Sequence, residues 1–187
     1  MDIINDKKIK EFDGDEYIKI GDIVKPFWEQ GISEKPPRFV ILMGGIGSGK
    51  TTMRRKFLGE GYVNFDFNEI DKAIKDFIGK DYPRIIEYSV LACDIILKES
   101  ILEKKNIVIE IIGDNYEQIA PVITKMKELG YDVKLIPITC DIEEAKKRHL
   151  LATKEDKDYM SAYYSQDLTL FSFFNYFGLG EMPTNQS

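Results

Sequence analysis

Histidine is almost missing from this chain. His149 is the single imidazole in 187 residues, so a His-rich metal site and a histidine-based proton relay are both nearly excluded. Cysteine is scarce as well. Cys93 and Cys140 stand far apart, form no C-x-x-C pair and lie in apolar surroundings, which reads as two buried, reduced thiols of a cytoplasmic protein. No apolar run approaches the ~18 residues needed to span a bilayer, and the charged N-terminus "MDIINDKKIKEFDGDEYIKI" has no apolar core of a signal peptide. Positive charge is also short: 26 Lys and Arg against 32 Asp and Glu give a net charge of −6 and a pI near 5.0. Overall charge therefore offers no nonspecific affinity for nucleic acid, leaving only a local basic patch as a route to it. The expectation is a soluble, cytoplasmic protein with no membrane partner and a nucleic-acid partner disfavoured.

What is present is enough for a core. Apolar residues make up 43% of the chain, and this length is expected to form one domain over residues 1–187. Residues 1–35 read as an N-terminal extension, helical around Ile20–Gln30 and closed by "EKPPR". Residues 36–165 form the expected core. Pro36-Pro37 forces an extended lead into "RFVILM" (38–43), a continuous apolar run of the kind buried on both faces of a sheet. Further strands are predicted over 62–66, 106–112 and 132–139. Helices are predicted over 50–58, 69–78 and 83–105, then from Asp114 to Gly130 and from Asp141 onward. The last two are opened by the capping-box pairs Asp114/Glu117 and Asp141/Glu144. Strands alternating with helices imply an α/β fold, with a parallel sheet between two helical layers. The final segment, 166–187, carries Phe171, Phe173, Phe174, Tyr176 and Phe177. That is too aromatic for a solvated tail, and it is expected to pack on the chain's own core, with a partner surface as the alternative.

After the first strand comes "GGIGSGKTT", in which Gly44, Gly49, Lys50 and Thr51 fit G-x-x-x-x-G-K-[ST]. Glycines let successive backbone N–H groups turn inward around phosphate oxygens, and the helix that follows presents its positive end. Gly44, Gly45, Ile46, Gly47, Ser48, Gly49, Lys50, Thr51 and Thr52 are therefore the expected nucleotide-binding residues of a P-loop fold. Lys50 would reach the β- and γ-phosphates of ATP or GTP, and Thr51 would ligate Mg²⁺. Two GTPase-like fragments, Asp76–Gly79 and Thr153–Asp156, follow charged helical sequence rather than buried strands. A motor would need more chain and an arginine supplied in trans. Transfer to an acceptor is the reading that remains.

Such transfer needs a carboxylate for the acceptor hydroxyl and cations for the developing charge, and parallel sheets present ligands at strand carboxyl ends. Asp66, ending the second strand, is the candidate for the acceptor hydroxyl or a Mg²⁺-bound water; alternatively it only caps the next helix. Asn68 and Glu69 lie beside it. Glu110, a lone carboxylate in the apolar strand "IVIEII", is a candidate for Mg²⁺ or acceptor. Asp114 is a further acceptor candidate, although capping alone accounts for it. Arg148 is the candidate lid cation over the phosphates, against a solvated face shared with Lys146 and Lys147.

In this order and spacing, "GGIGSGKTT", "VNFDFNEID", "NIVIEIIGD", "LGYDVKLIPI" and "EEAKKRH" resemble the zeta-toxin family of P-loop kinases over roughly residues 20–155. The resemblance implies phosphorylation of a hydroxyl on a small acceptor such as a sugar nucleotide, notably UDP-N-acetylglucosamine, and an antitoxin-like protein partner. Relatives act on antibiotics, sugars and polynucleotide 5′ ends. Two departures stand out. The family's acidic motif is typically D-x-D with the second Asp as base, and here that position is Asn68. An amide cannot take a proton at neutral pH, so Asp66 or Glu69 takes over, or transfer is slow or lost. The family's lid also generally supplies two arginines, whereas no arginine follows Arg148 here.

Overall fold

The computed structural model describes residues 12–79, 83–113, 116–155 and 159–180. Four strands, β1 (Arg38–Met43), β2 (Val63–Asn64), β3 (Ile107–Ile111) and β4 (Asp132–Pro137), form one parallel sheet in the order β2-β3-β1-β4. Seven helices surround it among the described residues: α1 (Gly14–Glu29), α2 (Lys50–Phe57), α3 (Phe67–Ile78), α4 (Ile85–Leu102), α5 (Tyr116–Glu128), α6 (Ile142–Glu155) and α7 (Tyr159–Phe177). None is long and apolar enough to cross a membrane.

Side chains of a strand alternate between faces, and β1 uses both. Phe39 and Ile41 point into the larger core, which gathers α1, α3, α4, α5 and α7, whereas Val40 and Leu42 join Tyr62 and Val108 in a smaller cluster beside Leu58 and Ile136. The continuous apolar run "RFVILM" is thus explained by two buried faces. The sheet is covered unequally, and the thinly covered face carries α2 and the loop that opens it.

The aromatic C-terminal segment packs on the chain itself. Leu170, Phe173 and Phe174 of α7 are buried, and the Phe173 ring lies 5.4 Å from that of Phe39 and 5.2 Å from that of Phe65. The N-terminal helix does likewise, sinking Ile20, Val24 and Trp28 into the same core.

The second strand is shorter than the sequence suggests. Its last ladder bond runs from Phe65 N to Val108 O at 3.0 Å, after which the Asp66 carboxylate accepts the Asn68 N–H at 3.0 Å. That cap starts α3 at Phe67, two residues earlier than the helical pattern implied. On the other side of this turn, the buried Thr169 hydroxyl of α7 accepts the Phe67 N–H at 3.5 Å. The C-terminal helix therefore props the turn that carries Asp66.

Candidate active site

Register places the site. β3 lies directly beside β1, with Glu110 opposite Leu42 and Ile111 opposite Met43, so Glu110 emerges next to the loop that β1 feeds. Within that loop Gly47 (φ 71°) and Gly49 (φ 100°) occupy the left-handed region, which side chains other than glycine rarely adopt. A Cβ on Gly47 would stand 2.4 Å from the Ala145 carbonyl, and one on Gly44 2.4 Å from the Ile138 carbonyl. The loop is thus pressed between the end of β4 and α6, and two of its glycines are required by contact.

α2 begins at Lys50 with Gly49 as a cap that offers no side-chain acceptor, so its first N–H groups face the loop as an anion site. The buried Lys50 ammonium donates to the carbonyls of Gly44 and Gly45 at 2.6 and 3.1 Å. Burial lowers its proton affinity, and the charge of Glu110 opposes that loss. The hydroxyl of Ser48 is buried with no partner among the described residues, a polar atom of the kind a phosphate oxygen satisfies. A cavity of about 620 Å³ opens here, lined by Ile46 through Met53, Glu110 and Arg148. Its size and lining suit a nucleotide.

The Thr51 hydroxyl donates to Glu110 Oε2 at 2.8 Å. Among the described residues no group of three or more acidic, His or Cys side chains forms a metal cage. That donor set fits Mg²⁺, which is commonly held by one or two protein oxygens together with phosphate and water. Of the two metal residues expected from the sequence, Thr51 is paired with Glu110, while Asp66 lies on the far side of an arginine.

That arginine is Arg54, the first of three consecutive cations, Arg54, Arg55 and Lys56, on α2. It is 5% exposed. Its Nε donates to Glu110 Oε1 at 2.5 Å, and its NH2 lies 3.3 Å from Glu69 Oε1 and 4.0 Å from Asp66 Oδ2. Burial opposes the charge, and the three carboxylates more than compensate, raising its proton affinity. A signal did exist: Arg54 follows Lys50 by four residues and Thr51 by three, which puts all three on one side of α2.

The proton affinity of Asp66 is raised, first by burial and then by repulsion from Glu69, with Arg54 pulling the other way. Glu69 receives a second bond from the Asn64 amide at 2.7 Å. Asn68 lies half-buried in the first turn of α3. Arg148 lines the cavity, with NH1 3.5 Å from where a Gly49 Cβ would be, and it is held by Glu144 at 2.8 Å. It is exposed to solvent at the edge of the loop. Asp114 lies outside the described residues.

The fold has a known counterpart. A solved chain from the PezAT chromosomal toxin–antitoxin system of Streptococcus pneumoniae superposes with a TM-score of 0.55 at 21% identity, over 79% of this chain and 66% of that one. The chain thus spans slightly under two thirds of the length of that relative. No curated protein matches significantly. The zeta toxin profile matches residues 28–158, a stretch running from the end of α1 past the whole sheet, glycine loop and α6. The chain belongs to the zeta toxin family, whose members are built on a kinase-like P-loop fold.

Proposed function

We propose that this protein is a nucleoside-triphosphate-dependent kinase that transfers a γ-phosphoryl group from ATP or GTP to a hydroxyl of a small acceptor, a sugar nucleotide or nucleoside among the candidates. One observation carries the reading. A run of hydrogen bonds, Thr51 to Glu110 to Arg54 to Glu69, joins the phosphate loop to the acidic turn after β2, with Asp66 4.0 Å from the Arg54 guanidinium.

In the proposed reaction the loop N–H groups and Lys50 bind the donor phosphates, and Thr51 with Glu110 would hold Mg²⁺. When bound, Mg²⁺ supplies neutralisation of charge across the β- and γ-phosphate oxygens. Asp66 orients the acceptor hydroxyl and takes its proton as the new oxygen–phosphorus bond forms. The bridging γ-phosphorus–oxygen bond breaks and the nucleoside diphosphate leaves. A raised proton affinity suits Asp66 to this role. Arg148, exposed at the mouth of the cavity, stabilises the equatorial oxygens. An antitoxin-like protein is the partner proposed by analogy with the toxin–antitoxin system named for the structural relative.

A panel of sugar nucleotides, nucleosides and polynucleotide 5′ ends, scored for nucleotide turnover, tests this reading. Turnover that depends on one acceptor class is expected. Ordinary nucleotide binding with no acceptor-dependent turnover contradicts it.

Asn68 favours a second reading, in which the chain binds nucleotide, transfers little, and acts through a partner. Asn68→Asp separates the two. Acceptor phosphorylation that appears only in the variant supports the second reading, and strong wild-type activity ends it.

A further inference from the structure

The three carboxylates around Arg54 are not equivalent. Glu110 has both oxygens engaged, Oε1 by Arg54 and Oε2 by Thr51. Glu69 has both engaged as well, Oε1 by Arg54 and Oε2 by Asn64. Asp66 uses Oδ1 to accept the Asn68 N–H. Its Oδ2 accepts no hydrogen bond among the described residues and stands 4.0 Å from the guanidinium. One carboxylate oxygen of the six is left over, and it belongs to Asp66.

The arrangement depends on the shape of an arginine. Nε and NH2 project in fixed directions from one plane, so one guanidinium reaches Glu110 on β3 and Glu69 on α3 together while its third neighbour stays beyond bonding distance. A lysine would carry the charge without the fork. We propose that Arg54 is a positioning residue that sorts these carboxylates, turning Glu110 to Thr51 and drawing Glu69 towards Asn64, so that Asp66 Oδ2 alone is left for the acceptor hydroxyl. The proposal rests on the kinase reading for the hydroxyl, but the sorting itself is a property of the folded chain. It also assigns the role left open by Asn68: the base is Asp66, and Glu69 is not its substitute.

Carbodiimide labelling followed by peptide mass spectrometry reads the sorting without any catalytic turnover. In the wild-type protein Asp66 is expected to label about tenfold faster than Glu69 or Glu110, the margin one charge-assisted bond provides. In Arg54→Gln the three rates are expected to draw together, and in Arg54→Lys the Asp66 preference returns in part. In acceptor turnover, Arg54→Gln is expected to lower kcat about 10²-fold, as for a misplaced reacting group, with the nucleotide KM little changed. Free guanidinium is expected to recover part of that loss. Glu69 labelling as fast as Asp66 in the wild-type protein overturns the proposal, and that result needs no variant to fold. Labelling that follows the expected order while no acceptor is phosphorylated leaves the sorting standing and overturns the kinase reading alone.

Discussion

The two ends of the proposed kinase site are built by different means. The donor end is almost entirely backbone: loop N–H groups, the start of α2, and two glycines that leave no room for a Cβ. Its residues are contiguous, from Gly44 to Thr52. The acceptor end is made of side chains from three separate elements, with Arg54 from α2, Asp66 and Glu69 from the head of α3, and Glu110 from β3. A backbone cradle binds any triphosphate of the right shape, so it says little about use. Ion pairs between distant segments leave no short motif in the sequence.

Perturbations should separate the two ends. Phe173→Ala removes the ring that packs against Phe65, one residue before Asp66. The expected loss is about 3–5 kcal/mol of stability by urea unfolding, with kcat for transfer falling more than nucleotide affinity. An equal fall in both would show that the two ends are not independent. Lys50→Met strikes the donor end, and turnover should drop on the order of 10²–10³-fold. Stability should hold or rise, because the lost ammonium is buried and partly disfavoured there. Gly47→Ala drives a methyl group into the Ala145 carbonyl, and a cost of about 1–3 kcal/mol is expected, read as a lower Tm together with weaker nucleotide binding.

The smallest effect lies away from both ends. Asp94 of α4 is pushed up to about 6 by burial, although a 3.4 Å bond from Asn175 lowers it. The unfolded carboxyl titrates near ~3.9, so between about pH 4 and pH 6 the folded chain binds the proton more tightly. Stability should therefore fall as pH rises through that window and level off above it. Asp94→Asn should flatten this slope and raise Tm at neutral pH by about 2–4 °C, without changing the activity of either end.

Most of the fold was legible because its signals are local. Apolar runs bounded by glycine gave β1 and β3, and the Asp141 cap was found where expected, its carboxylate accepting the Glu143 and Glu144 N–H groups. The start of α3 is less legible because Asp66 serves two purposes. It ends the extended segment and caps the helix, and a periodicity argument registers only the apolar face that follows. At the site the glycine loop could be read directly, and Glu110 stood out as a charge in an apolar strand. Arg54 did not stand out. Followed by Arg55 and Lys56, it resembles one more solvated cation; its spacing from Lys50 and Thr51 puts it on their side of α2, and the fold shows that this side faces Glu110 on β3.

On the proposed reading the donor cradle and the Asp66 carboxylate are separate devices joined through Arg54 and Glu110. Asp66→Asn tests it most directly, with nucleotide affinity and acceptor-dependent turnover measured on the same preparation. Nucleotide affinity should stay within about threefold while transfer falls 10²–10⁴-fold, roughly the worth of a positioned general base. Full transfer by the variant, or equal loss of binding and transfer, would contradict it.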